Sequence, residues 1–123
     1  MPSGDDFGHG GGFGVRRPLR FLAHKLELDR DQVVILARIL DELKIERAQA
    51  AVDDRRALAE FADSLAGDQF DMAKAEAAGE RRVESNKRLR ATLVRSLEQV
   101  HAMLNSEQRA RLAHLIRAGI LTV

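Results

Sequence analysis

The sequence predicts an all-α fold, a long antiparallel helical hairpin with a short helix at each end. Only 4% of the 123 residues are aromatic, and the chain is rich in Ala, Leu, Arg, Glu and Asp. This composition is typical of long helices and not of sandwiches or barrels. The two prolines are at positions 2 and 18, so no proline interrupts a helix after position 18. Apolar residues recur at helical spacing through most of the remaining chain.

The first 17 residues differ in composition from the rest of the chain. Six of the first fourteen are glycine, and such a segment loses much backbone entropy when it is ordered. We therefore expect a flexible Gly-rich tail over 1–17 and a single helical domain over 18–123.

Start and stop signals divide the domain into four helices. Pro18 suits the first turn of a short helix, and Gly67 is expected to end the first long helix. Asp68 or Asp71 can cap the second long helix, and Gly119 ends the last one. The expected helices cover about 18–26, 29–66, 70–104 and 106–118.

The apolar stripes predict how the long helices pack. The first stripe comprises Val33, Leu36, Leu40, Leu43, Ala50, Leu58, Phe61 and Leu65. The second stripe is weak in its first half and strong in its second: Met72, Ala75, Gly79, Val83, Asn86, Leu89 or Arg90, Leu93, Leu97, Val100 and Leu104. Two helices and their short neighbours cannot cover the residues outside these stripes, so we expect a homodimer. These residues are Ile35, Ile39, Ile45, Val94 and the C-terminal Ile120, Leu121 and Val123.

Two segments carry the same helix-start signature. They are Leu28-Asp29-Arg30-Asp31-Gln32 and Leu104-Asn105-Ser106-Glu107-Gln108. Asp29 and Asn105 are good N-cap residues, and a glutamine follows each of them three positions later. We expect the side chains of Gln32 and Gln108 to reach back to the backbone of their own caps.

The residue types argue against an enzyme. The chain has no cysteine, and its serines lie outside any nucleophile-elbow pattern. The Gly-rich segment lacks the Gly-Lys-Ser/Thr ending of a phosphate-binding loop. We therefore predict no catalytic residues.

Metal binding is predicted only weakly. No two of the four histidines have the i, i+4 spacing that places two ligands on one helix face. His24 and His101 are the candidates, since the hairpin could bring the ends of their helices together to hold Zn, Ni or Cu. The alternative is that both are partly exposed helix-end histidines, with no cofactor bound.

The second long helix has a basic first half that could form a binding surface. The first long helix, by contrast, holds nine acidic against six basic side chains. A basic, weakly apolar surface fits an anionic or unfolded protein partner; its candidate residues are Met72, Arg81, Arg82, Val83, Lys87 and Arg88. The alternative is ion pairing with the acidic helix, at Asp53, Asp54, Glu60 and Asp63.

Charge and hydropathy limit the other partners. The net charge of +1 and the lack of aromatic residues among the basic ones argue against nucleic acid. No apolar run is long enough to insert into a membrane, and the N-terminus lacks the apolar core of a signal peptide.

The twin start signatures resemble the paired LTxxQ motifs of the Spy/CpxP family of periplasmic stress chaperones, which includes heavy-metal sensors. The order of segments from about 18 to 119 is similar as well. The resemblance implies a hooked hairpin that dimerises into a cradle and holds unfolded clients without ATP. It implies the periplasm as location, with the cytoplasm as the alternative because no export signal is seen. Metal sensing and a purely structural hairpin remain the other functional hypotheses.

Overall fold

A computed structural model describes residues 17–123. This part of the chain contains four α-helices, whose ends lie within two residues of the expected ones. They are α1 (Arg17–Lys25), α2 (Arg30–Ala66), α3 (Met72–Met103) and α4 (Ser106–Arg117). The all-α hairpin with a short helix at each end is thereby confirmed, while the expected tail lies, except for its last residue, outside the described residues. None of these helices is both long enough and apolar enough to span a membrane.

The chain divides into two compact units. The first unit comprises the residues up to Ile45 together with Leu93–Val123, and the second comprises Glu46–Thr92. Each long helix therefore contributes one part to each unit, and each unit has its own type of packing. The expectation of a single domain over 18–123 stays a prediction.

Both helix-start signatures form capping boxes. At α2, the backbone N–H of Gln32 donates to Oδ1 of Asp29 at 2.8 Å, and Oε1 of Gln32 accepts from the backbone N–H of Asp29 at 3.0 Å. At α4, the backbone N–H of Gln108 donates to Oδ1 of Asn105 at 2.8 Å, and Oε1 of Gln108 accepts from the backbone N–H of Asn105 at 2.9 Å. These bonds satisfy N–H groups that a helix leaves unpaired in its first turn.

The turn between α2 and α3 differs from the expectation for Gly67. Among the described glycines, only Gly119 has a positive φ, so Gly67 is not the left-handed residue that ends a helix in a glycine cap. The turn is closed instead by a hydrogen bond from the N–H of Asp71 to the carbonyl of Ser64 at 3.0 Å. Oδ1 of Asp71 also accepts from the N–H of Lys74 at 3.0 Å, which makes Asp71 the cap of α3.

The helices α1 and α4 end in similar turns with different residue types. At α4, Gly119 has a φ of 76° and donates to the carbonyl of Ile116 at 3.0 Å. At α1, Glu27 has a φ of 52° and donates to the carbonyl of His24 at 3.3 Å. Nη1 of Arg111 lies 3.3 Å from Oε2 of Glu27. Because Glu27 carries a Cβ, its left-handed backbone is strained by about 1 kcal/mol.

Large apolar side chains form the core of the first unit. Leu121 is only 1% exposed, so the C-terminal segment packs into this unit, contrary to the expectation that the helices leave Leu121 uncovered. Ile120 and Val123 stay partly exposed, and Ile39, expected outside the stripe, is buried. The other buried residues include Phe21, Leu22, Leu26, Leu36, Leu43, Val100, Leu104, Leu112 and Leu115.

Small and polar side chains form the interior of the second unit. The expectation that Leu58 and Leu65 lie in the seam between the helices is wrong, since they are 51% and 72% exposed. Small residues with heptad spacing let two helix backbones approach closely, and the larger neighbours then point outward. The buried residues are Asp53, Ala57 and Ser64 on α2 and Ala78, Ser85 and Thr92 on α3.

Candidate functional site

One side of the second unit carries two ion pairs between its helices. Arg81 and Glu60 form a bidentate pair, with Nε–Oε1 and Nη2–Oε2 distances of 2.9 Å. Nη2 of Arg88 lies 2.9 Å from Oδ2 of Asp53. The two acids are seven residues apart, and so are the two arginines, so both pairs lie on one side of the unit. We call these four residues the charged ladder.

Hydrogen bonds shift the pKa values of three residues in the charged ladder, Asp53, Glu60 and Arg81. The hydrogen bond from Arg81 holds the pKa of Glu60 below its ordinary value, and Glu60 in turn raises the pKa of Arg81. The pKa of Asp53 is also lowered, first by the Gln49 amide, whose Nε2 lies 3.1 Å from Oδ1, and further by hydrogen bonds from α3, against an opposing effect of burial. The side chain of Asp53 is 8% exposed, against 54% for Arg88. The lowered pKa values keep the Asp53 and Glu60 carboxylates ionised at neutral pH.

Arg82 organises the other side of the second unit. Its Nη2 lies 2.9 Å from Oδ1 of Asp54, and its guanidinium carbon lies 5.4 Å from the centre of the Phe61 ring. This geometry combines an ion pair with a cation–π contact. Arg82 and Asp54 line an open cleft of about 240 Å³ together with Ala50, Ser85 and Asn86.

Large apolar side chains share this side with the cleft. Leu58 and Leu65 lie three positions before and four positions after Phe61, so all three follow one face of α2. Val83 lies three positions before a cleft residue and is 48% exposed, and Met72, eleven positions earlier on the same face of α3, is 59% exposed. We call Leu58, Phe61, Leu65, Met72 and Val83 the apolar face.

The six residues predicted to bind a protein partner are thus divided between two sides. Arg82 lines the cleft, and Met72 and Val83 lie on the apolar face. Arg81 and Arg88 belong to the charged ladder. Lys87 pairs within α3, with its Nζ 3.4 Å from Oε2 of Glu84. The pairing between helices that the sequence left open is present at Asp53, Asp54 and Glu60, and the described residues include no ion pair of Asp63.

Sequence reasoning missed Leu58, Leu65 and Phe70 as surface residues; Phe70 is 53% exposed. The two leucines continue an apolar stripe, and for that reason the sequence predicts them in the seam. Ala57 and Ser64 precede them by one position and have the same spacing of seven. A stripe of small residues beside a stripe of leucines was the signal that close packing would turn the leucines outward.

Two glutamines from the capping boxes meet in the first unit. Nε2 of Gln32 donates to Oε1 of Gln108 at 2.9 Å, and Nε2 of Gln108 donates to Oε1 of Gln32 at 3.1 Å. The amides also donate to the carbonyls of Met103 and Leu26, at 2.9 and 3.1 Å respectively. Each side-chain oxygen accepts from its own N-cap as well, so both amides use all their hydrogen-bonding capacity. This glutamine clamp has no titratable group and is suited to holding helices together.

The two candidate histidines are exposed side chains in the last turns of α1 and α3. Within the described residues, no hydrogen bond joins His24 to His101. That part of the chain also contains no group of three or more His, Asp or Glu side chains placed to hold a metal ion.

Comparison with known proteins identifies the family of the chain. Neither the curated proteins nor the solved structures give a significant match. The sequence model of the family described as LTXXQ motif family protein matches residues 15–115. This span contains both capping boxes and the whole hairpin, and it covers most of the chain. The chain therefore belongs to the LTXXQ motif family.

Proposed function

We propose that this protein binds unfolded or aggregation-prone proteins without ATP, as part of an envelope stress response. Membership of the LTXXQ family and the resemblance to Spy/CpxP chaperones support this class of function. The observation that carries the proposal is the exposed apolar face of the second unit. We further propose a non-enzymatic role in the periplasm, with the cytoplasm as the alternative location.

The apolar face has the properties that binding many unfolded chains requires. Contiguous exposed apolar side chains on a soluble surface are typical of sites that contact other proteins. Arg82 and Asp54 lie among these side chains and limit the size of the apolar patch. A surface of this mixed character can hold apolar segments of a client while the free protein resists self-aggregation.

The cationic residues of α3 supply the second part of the proposal. The side chains of Arg81, Arg82, Lys87 and Arg88 are ion-paired, yet 35%, 41%, 58% and 54% of their surface stays exposed. Exposed cationic groups attract acidic groups of a partner during diffusion. We therefore expect these residues to raise the rate at which acidic unfolded chains are captured, more than the final affinity.

The decisive experiment measures suppression of client aggregation in the absence of nucleotide. The variant L58Q/L65Q/V83Q removes apolar surface from the apolar face, and glutamine keeps the helix propensity high. The control is V52Q, in the same unit, where Val52 is 37% exposed and lies outside the apolar face. We expect protection to fall strongly in the triple variant only. A folded triple variant that protects as well as the parent would overturn the proposal.

Charge variants test the capture step separately. K87E changes the charge of α3 without breaking an ion pair between helices, since Lys87 pairs with Glu84 on its own helix. We expect slower client capture at low salt and an unchanged melting temperature. The variant R81E/R82E/R88E breaks three pairs between helices, so its melting temperature is expected to fall as well. A large fall in melting temperature with capture intact would assign these arginines to stability alone.

Metal sensing is the alternative that the sequence left open. The same assay with Zn, Ni or Cu ions, together with melting curves, distinguishes the two functions. A stoichiometric rise in melting temperature that is lost in H24A/H101A would favour metal binding. Client protection that is independent of metal would favour the chaperone function.

Self-association is part of the proposal. Val34, Ile35, Ile45 and Val94 are 54%, 40%, 69% and 60% exposed in the first unit, which supports a homodimer. Light scattering is expected to give the mass of a dimer. A monomer at micromolar concentration would contradict this expectation.

A further inference from the structure

Two neighbouring arginines of α3 use their guanidinium groups differently. Arg81 presents Nε and Nη2 to Glu60, and each nitrogen meets one carboxylate oxygen at 2.9 Å. Arg82 places Nη2 at 2.9 Å from Oδ1 of Asp54, while its Nε is buried and has no hydrogen-bond partner within the described residues. A buried N–H without a partner is costly, because it loses its bonds to water and gains none. The pair of Arg82 with Asp54 is therefore weaker than that of Arg81, and a better acceptor can replace Asp54.

The cleft beside Arg82 offers a second hydrogen-bond donor. Asn86 lies four positions after Arg82, so both side chains line the cleft from one face of α3. Asn86 is exposed, and its amide makes no hydrogen bond within the described part of the chain. Of the described residues, only Arg47 shares with Arg82 a buried Nε that has no partner. Arg47 lies three positions before Ala50 and seven before Asp54, on the face of α2 that lines the cleft. The cleft thus lies among donors whose hydrogen-bonding capacity is not used.

We propose that this cleft binds a carboxylate group of a client protein, and that Arg82 exchanges its contact with Asp54 for a bidentate pair with that carboxylate. The guanidinium turns to present Nε, and Asp54, whose side chain is already 53% exposed, is released to water. Asn86 donates its amide N–H to the same carboxylate. A bidentate pair between Arg and a carboxylate is stronger and more directional than a single contact. The inference rests on the proposed function and adds to it the chemical group that the second unit recognises in a client.

The charge of the cleft favours a carboxylate over a phosphate. The charges of Arg82 and Asp54 cancel, and Arg47 supplies one further positive charge on the same face of α2. A singly charged carboxylate matches this balance, whereas Asp54 would repel a doubly charged phosphate more strongly. The volume of about 240 Å³ holds a carboxylate with the few carbon atoms that carry it, and it is below the range of about 300–1,000 Å³ that is typical of small-molecule pockets.

The position of Phe61 determines what surrounds the carboxylate in the client. The centre of its ring lies 5.4 Å from the guanidinium carbon of Arg82, and Phe61 belongs to the apolar face. A client segment whose apolar side chain contacts Phe61 therefore brings its next residues to the cleft. We expect a preference for segments in which a carboxylate directly follows apolar side chains. That carboxylate belongs either to an acidic side chain or to the end of the client chain.

Fluorescence anisotropy with labelled peptides measures this preference, at about 0.15 M salt to screen long-range attraction. Three short peptides share an apolar Phe-Leu segment. The first continues with Glu and has an amidated C-terminus, the second has Gln in place of Glu, and the third ends after the segment in a free carboxylate. We expect the parent to bind the first peptide about tenfold more tightly than the second. The third peptide shows whether the end of a chain is accepted as well as an acidic side chain; the site is overturned if neither carboxylate peptide is preferred over the Gln peptide.

Substitutions in the cleft test where the carboxylate binds. R82Q should abolish the preference for the Glu peptide over the Gln peptide, and N86A should reduce it about threefold. D54N removes the internal competitor of the client, so it should strengthen binding of the Glu peptide about threefold or more. The control R56Q removes an exposed arginine of α2 in the same unit, outside the cleft, and should leave the preference unchanged. Melting temperatures show that each variant is folded, and N86A and D54N decide the question if R82Q is not.

The outcomes separate failure of the cleft site from failure of the chaperone function. If the parent bound the Glu and Gln peptides equally, the carboxylate site would be wrong and binding of apolar segments would stand. Weaker binding of the Glu peptide by D54N would also contradict the site, because Asp54 would then assist the client and not compete with it. The same conclusion follows if R56Q lowers the preference as much as R82Q does. If no peptide bound and client aggregation were not suppressed, the proposed function would be wrong as well.

Discussion

Gln32 and Gln108 donate to each other, each through its own Nε2 to the side-chain oxygen of the other, at 2.9 and 3.1 Å. The two residues are 76 positions apart in the chain. Each also closes the capping box of its own helix. The glutamine clamp thus joins the N-termini of α2 and α4 by uncharged hydrogen bonds, and a fully satisfied network of this kind favours one arrangement of the helices.

Removal of either glutamine is expected to destabilise the protein. Q32A and Q108A should each lower the free energy of unfolding by about 1–3 kcal/mol, because each leaves several polar groups without partners. The loss of unfolding free energy in the double variant should be smaller than the sum of the two single losses by about 0.5 kcal/mol or more, since the two side chains share hydrogen bonds. Urea denaturation of the four proteins measures this coupling. Unchanged stability with loss of client binding would contradict the structural role.

Relief of backbone strain at Glu27 should stabilise the protein. E27G and E27A remove the same exposed contact with Arg111, and they differ only in the Cβ that strains a φ of 52°. E27G is therefore expected to be more stable than E27A by about 1 kcal/mol. Thermal denaturation of the pair checks the difference. Equal stability would mean that this end of α1 relaxes when its side chain is shortened.

The two partners in the Arg88–Asp53 pair should respond differently to removal. R88A leaves the Asp53 carboxylate, with its side chain 8% exposed, without its cation. D53A leaves Arg88 free to be hydrated and places an alanine in a seam that already contains Ala57. We expect R88A to lower the urea midpoint more than D53A does. The opposite order would show that attraction within the pair outweighs the cost of burying Asp53.

Acid should weaken the charged ladder. The pKa values of Asp53 and Glu60 lie below their ordinary values, so the folded state binds these protons less readily than the unfolded state does. Their stabilisation is complete above about pH 4.5 and is lost as the pH falls through the lower pKa values of the folded state. Urea midpoints measured from pH 6 down to about pH 2.5 should decline in this window. The variant E60Q/R81Q removes one ion pair at constant net charge, so its urea midpoint should decline less steeply with falling pH.

The helices and their N-terminal caps were predictable because their signals are local. Asp29 and Gln32 are three positions apart, and hydrogen bonding within one turn decides where α2 begins. The bond from Gln32 to Gln108 was not predictable, because it depends on how distant segments meet. The prediction that Leu58 is buried in the seam was wrong for another reason. Ala57 belongs to a neighbouring stripe of small residues that is buried instead, and hydropathy alone does not show how closely two backbones approach.

The seam of small residues has a consequence for how the protein opens. Alanine and serine remove little apolar area from water when they pack, so each helical turn of the second unit gains less from burial than a turn packed by leucines. Segments with few buried apolar contacts open at lower free energy than the rest of a molecule. Amide hydrogens within 46–92 should therefore exchange with deuterated solvent sooner than those around Leu36 or Leu115, which are packed in the first unit. The segment that presents the apolar face would then also be the one that transiently loosens most often.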